Sequence, residues 1–210
     1  MKHKAPTSLI TGGGVSLKTV ATSGDFAAGA ERTGVDSRTS TLVVATALII
    51  AYFLSGKIGL HFATVNPSAT AIWAPSGIAL AACLLFGSWL WPAIFAGAFL
   101  VNVTTYGSIA TSVAIATGNT LEALTAAYFV QRLARGPDAF RLTVDTFRFV
   151  FFAAALSTAI SATIGVTSLC IGGYASWSHY MWIWLTWWMG NATGDLIWNF
   201  RFDSPIPTAV

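Results

Sequence analysis

Residues 41–62 read TLVVATALIIAYFLSGKIGLHF, and this stretch decides the fold. A hydrocarbon core of about 30 Å needs about 20 predominantly apolar residues in helical form. The run supplies them with Lys57 as its single formal charge. The residues before it are of another kind. Residues 1–40 are rich in Gly, Ser and Thr, include Gly12-Gly13-Gly14, and hold eight of the chain's charged side chains. Such a segment cannot offset the entropy of ordering, so 1–40 is expected to be a disordered cytoplasmic tail. Without a continuous apolar core it does not read as a signal peptide.

The same contrast runs through the rest of the 210 residues, of which 55% are hydrophobic and only 9% charged, with a mean hydropathy of +0.67. A soluble domain carries about a quarter charged residues, so lipid must cover what charges cannot. Six spans are expected, at 41–62, 69–86, 91–105, 108–131, 148–171 and 179–200. Asn66-Pro67, Gly87, Pro92, Gly107, Gly136-Pro137 and Gly172-Gly173 punctuate them. The predicted fold is all-α, a polytopic transmembrane helical bundle of residues 41–200 with a polar tail at 201–210.

Basic residues orient it. With the tail inside, Lys2, Lys4, Lys18, Arg32, Arg38, Arg132, Arg135, Arg141, Arg148 and Arg201 all face the cytoplasm, leaving Lys57 of the 11 Lys and Arg within a span. This asymmetry fixes a cytoplasmic amino terminus in an inner membrane. It also explains the net charge of +3 without nucleic acid, since the charges sit in a tail and one loop. In that loop Phe140, Val144 and Phe147 share one helical face and Arg141, Asp145 and Arg148 another. The pattern fits either a short interfacial helix or the solvated start of the fifth span. Cys83 and Cys170 lie in apolar runs and read as small buried hydrophobes, and no metal site or cofactor is expected.

Ionisable groups inside spans are costly and default to functional hypotheses. Lys57, Glu122 and Asp195 are the three here, with Asn102, Asn119 and Asn191 as neutral companions. Asn119 and Glu122 fall on one stripe of the fourth span. Trp184, Trp188, Asn191 and Asp195 fall on one stripe of the sixth. At about 1.5 Å per residue Lys57 lies roughly 24 Å from the cytoplasmic edge, against about 14 Å for Glu122 and 8 Å for Asp195. Lys57 is therefore expected to snorkel outward near His61, while the two carboxylates and two asparagines share a polar cluster. The cluster reads as a ligand site or as a device for holding helices together. Pro75, inside the second span, is expected to break it at membrane depth.

Trp73-Ala74-Pro75-Ser76-Gly77-Ile78-Ala79-Leu80 is followed by Leu84-Leu85-Phe86-Gly87, Trp91-Pro92 and Gly97-Ala98-Phe99-Leu100-Val101-Asn102. Gly118-Asn119-Thr120-Leu121-Glu122-Ala123, Ile164-Gly165-Val166 and Trp187-Trp188-Met189-Gly190-Asn191-Ala192-Thr193-Gly194-Asp195 complete the series. In this order they resemble the type-one membrane-associated sensor (MASE) family over roughly 42–198. The resemblance implies a bacterial membrane sensory module of about eight helices. It is usually fused to a histidine kinase or a cyclic-di-GMP output domain. It marks Trp73, Pro75, Gly77, Asn102, Gly190 and Gly194 as structural positions beside Asn119, Glu122, Asn191 and Asp195. Asn191 stands where the family often has aspartate. Residues 201–210 replace the expected apolar continuation, so the chain looks truncated and without an output domain.

The leading reading is a non-enzymatic sensory input domain. Its expected partners are the lipid bilayer, a second copy in a homodimer, and a small-molecule or membrane stimulus. A small transporter or transporter subunit using Glu122 and Asp195 is the alternative, although no inverted repeat is visible. An intramembrane enzyme lacks any nucleophile–base pair or clustered His ligands.

Overall fold

The computed structural model describes the backbone of residues 23–134 and 143–202, and the side chains of residues 39–134 and 143–197. Six helices follow one another without a strand among the described residues. They are α1 (Ser23–His61), α2 (Ala74–Phe86), α3 (Trp91–Val103), α4 (Ile109–Leu133), α5 (Thr143–Ile171) and α6 (Tyr180–Phe202). The molecule is an all-α helical bundle, as its hydropathy requires. Two compact units divide it, Met1–Ser40 and Thr41–Val210.

In the first unit, residues 1–22 lie outside the described residues, but the helical backbone of α1 already begins at Ser23. The helix thus includes residues 23–40 of the stretch whose composition reads as a tail. Once a long apolar helix exists, adding residues at its end avoids the cost of nucleation. Residues 203–210 and 135–142, with Gly136-Pro137, Phe140 and Arg141, also lie outside the described residues.

Thr39–His61 and Thr143–Ile171 are long and apolar enough to cross a membrane. The helices α2 and α3 have 13 residues each, about 20 Å at 1.5 Å per residue and short of the hydrocarbon thickness. The expected span 69–86 is thus corrected. Residues 69–73 are not helical, and Pro75 sits in the first turn of α2, where its missing N–H costs nothing. It starts a helix and does not kink one. The irregular stretch before α2 makes up the remaining depth. Its backbone amide at Trp73 donates to the Gly190 carbonyl at 2.9 Å, roughly 15 Å into α6. Irregular backbone at such depth survives only against protein. Accordingly Asn66 Oδ1 accepts from the Ser68 amide at 2.9 Å and Ser76 Oγ donates to the Asn191 carbonyl at 2.9 Å.

Gly87, at φ 102, turns the chain between α2 and a short 3₁₀ turn at Ser88–Leu90. A capping box between Ser108 and Thr111 starts α4. The middle of α5, Val150–Ser157, is wound as a π-helix. At its start Asp145 is buried and pairs with Arg148 at 3.1 Å, whose guanidinium also donates to the Leu133 carbonyl at the end of α4. Val144 and Phe147 are exposed instead. Polar-in, apolar-out is the reverse of a solvated helix and suits a lipid interface.

Two apolar cores result. One gathers Tyr52, Leu80, Cys83, Ile94, Val101, Ala123 and Phe149. The other gathers Ile115, Val166, Leu169, Cys170, Ile183 and Trp187. Leu42, Val43, Ile50, Leu54 and Ile58 remain exposed along α1, an apolar surface far larger than water would leave uncovered.

Candidate functional site

A buried polar layer is built from α4, α5 and α6. Asn119, Glu122, Ser161, Asn191 and Asp195 are each no more than 4% exposed. Their spacing explains why. Asn119 and Glu122 share a face of α4 at i, i+3, while Ile183, Trp187, Asn191 and Asp195 step inward along α6 at i+4.

Ser161 is the hub. It donates from Oγ to Asn119 Oδ1 at 2.5 Å, and accepts from Trp187 Nε1 at 3.2 Å and from Asn191 Nδ2 at 3.2 Å. Asn191 Nδ2 gives its other hydrogen to Glu122 Oε2 at 2.5 Å. Asp195 lies beside Ser76 in the first turn of α2 and within the electrostatic reach of Glu122. Tyr52 of α1, only 1% exposed, closes the layer next to Asn119 and Trp73. Its ring meets Trp73 edge-on, with centroids 6.5 Å apart.

Of the residues singled out from sequence, Asn119, Glu122 and Asn191 are joined in this one network, with Asp195 adjoining it. Trp184 and Trp188 are not in it. They stack on each other 6.0 Å apart and bind α6 to α5, through Thr163 Oγ1 at 3.0 Å and the Ala155 carbonyl at 2.8 Å. The inward neighbour of the network is Trp187. Ser161 and Ser76 are not singled out by the sequence, because hydroxyls in apolar helices more often bond their own backbone. Lys57 does not snorkel freely. Its Nζ donates to the Thr104 carbonyl at 2.7 Å and to Thr105 Oγ1 at 2.8 Å, tying α1 to the end of α3.

The structural positions surround the layer. A Cβ on Gly190 would strike the Thr70 carbonyl, and one on Gly194 the Trp73 carbonyl and Ser76 Oγ. Gly77 is buried in α2, and Asn102 Nδ2 donates within α3 to the Ala98 carbonyl at 2.8 Å. Ser68, Thr70, Trp73, Asn102, Trp187 and Asn191 line a cavity of about 10 Å³ against the network, room for about one water.

A buried network fed by the two-glycine approach of α6 to the Trp73–Gly77 turn occupies the segments whose order resembled a sensor family. A family model for MASE1 matches residues 42–200. The chain belongs to the MASE1 family. MASE1 domains are membrane-associated sensory input modules of signal transduction, so this bundle is a membrane domain. The match covers α2 to α5 whole, with all of the polar layer. No curated protein and no solved structure matches the chain.

Proposed function

We propose that this MASE1 domain is a six-span input module in a bacterial inner membrane, and that its polar layer registers the stimulus. The observation that carries the reading is the Asn119–Ser161–Asn191–Glu122 network, which ties three helices together by side chains alone. A change at any one of them alters how α4, α5 and α6 hold each other, which is what an input domain must convert into motion. The amino terminus lies in the cytoplasm. Arg132 and Arg148 cluster at one end of the bundle, and the positive-inside rule makes that end cytoplasmic. Lys57 of α1, bonded to the end of α3, marks the other. Output runs to a histidine kinase of a two-component system or to a cyclic-di-GMP enzyme, and the membrane domain itself catalyses nothing. Lipid surrounds it, a second copy pairs with it, and the stimulus is a small molecule or a property of the membrane.

Joining residues 1–210 to a reporter kinase tests this. Glu122→Gln and Asn191→Leu are expected to shift resting output several-fold, while Leu42→Ala on the exposed face of α1 leaves it within about twofold. Output indifferent to both cluster substitutions would overturn the reading. Coupled ion or solute flux in vesicles containing the purified chain would favour a transporter built on Glu122 and Asp195.

A further inference from the structure

Three buried polar atoms of the layer have no hydrogen-bond partner among the described residues: Tyr52 Oη, Asn119 Nδ2 and Glu122 Oε1. The atoms around them are fully used. Ser161 gives one hydrogen and receives two, and both hydrogens of the Asn191 amide are spent. An orphaned buried polar group costs about 1–3 kcal/mol; Tyr52 Oη and Asn119 face each other and offset part of that cost, which leaves Glu122 Oε1 as the atom that calls for an occupant.

Their chemistry narrows what it is. A hard cation needs several oxygen ligands. Asn119 has only its NH₂ left to offer, which repels a cation. No group of three or more His, Cys, Asp or Glu that could hold a metal occurs among the described residues. The adjoining cavity, at about 10 Å³, is too small for a metabolite. It does admit a water, and Asn191, the residue that covers Glu122, forms part of its lining.

We propose that Glu122 binds one exchangeable proton delivered by water through this cavity, which makes the proton the ligand of the sensory layer. The inference rests on the sensory reading above for its purpose, though not for its geometry. When the Asn191 amide swings off Oε2, a hydronium in the cavity gives its proton to the carboxylate. An O–H bond forms on Glu122, one O–H bond of hydronium breaks with its electron pair left on oxygen, and water remains. The carboxylate, previously an acceptor only, becomes a donor, with the Tyr52 hydroxyl within its electrostatic reach. Asn191 loses a charged acceptor, so the hold of α4 on α6 weakens. The titratable groups facing Glu122 are Tyr52 on α1 and Asp195 on α6. The helix α5 presents Ser161 there, α2 presents Ser76 to Asp195, and α3 contains no titratable side chain.

Infrared difference spectra of the full chain in phosphatidylethanolamine–phosphatidylglycerol vesicles, taken as the medium is acidified, test this. A carbonyl band of a protonated carboxyl is expected to rise in the wild type and in Asp195→Asn, and to vanish in Glu122→Gln that retains native helicity. Thr70→Phe, which fills the cavity, should slow the rise at least tenfold. The same band in wild type and Glu122→Gln would overturn the proposal. If the band is absent yet reporter output still depends on Glu122, the proton assignment fails and the sensory reading stands. A normal band with an indifferent reporter fails the sensory reading and leaves the proton site in place.

Discussion

Ser161 has one hydrogen and two lone pairs, and all three are committed. Because both lone pairs receive N–H groups, its own hydrogen must go to an acceptor, which fixes Asn119 with its carbonyl toward Ser161 and its NH₂ away. Asn191→Leu keeps the volume but strips both donors, leaving Glu122 Oε2 and Ser161 short of partners. Within a bilayer this should cost about 1–2 kcal/mol, read as a lower unfolding midpoint in detergent titration. Lys57→Met should cost less, since the part-exposed Thr104 and Thr105 groups can turn to water. Equal losses would mean the layer is no stronger than a surface tether. Asn119, Glu122, Asn191 and Asp195 were legible in the sequence because each is a polar interruption of an apolar helix. Ser161 was not. Thr158 and Ser168 of the same helix bond their own backbone, at Ala154 and Gly165, and no sequence feature separates the hub from these.

The approach of α6 to the Thr70–Ser76 stretch is an element-scale matter of two missing side chains. Gly190 and Gly194, one turn apart, let backbone meet backbone, and Trp73 donates to the Gly190 carbonyl as a result. Gly194→Val should push α6 off the turn, at the upper end of the roughly 1–3 kcal/mol typical of overpacking. It should also raise the labelling rate of a cysteine placed at Ser76 in membranes. Unchanged labelling would show that the approach is looser than described. The expected box Gly190–Asp195 was visible as a sequence pattern, but its partner was not. Pro75 reads equally as a kink inside a span or as the first turn of a new helix. Only the packing of residues 69–73 against α6 decides for the second. The π-wound stretch of α5 had no signature either. Its run of Val, Phe and Ala suits an α-helix as well.

Across the whole molecule, the six-helix order and the membrane character followed from hydropathy, and the described helices differ from the expected spans mainly at α2 and at the start of α1. Side-chain bonds place Arg148 by the end of α4 and Lys57 by the end of α3. Reporter fusions at Asp138 and Arg201 should therefore report cytoplasm, and one at Pro67 the periplasm. A periplasmic signal at Asp138 would invert the bundle. Within either orientation α4 and α6 meet through Asn191 and Glu122. Magic-angle-spinning NMR on the selectively labelled full chain in lipid bilayers tests it without any substitution. A through-space cross-peak between Asn191 Nδ2 and Glu122 Cδ is expected, alongside the intrahelical peak from Asn102 Nδ2 to the Ala98 carbonyl carbon. The second peak without the first would contradict the account.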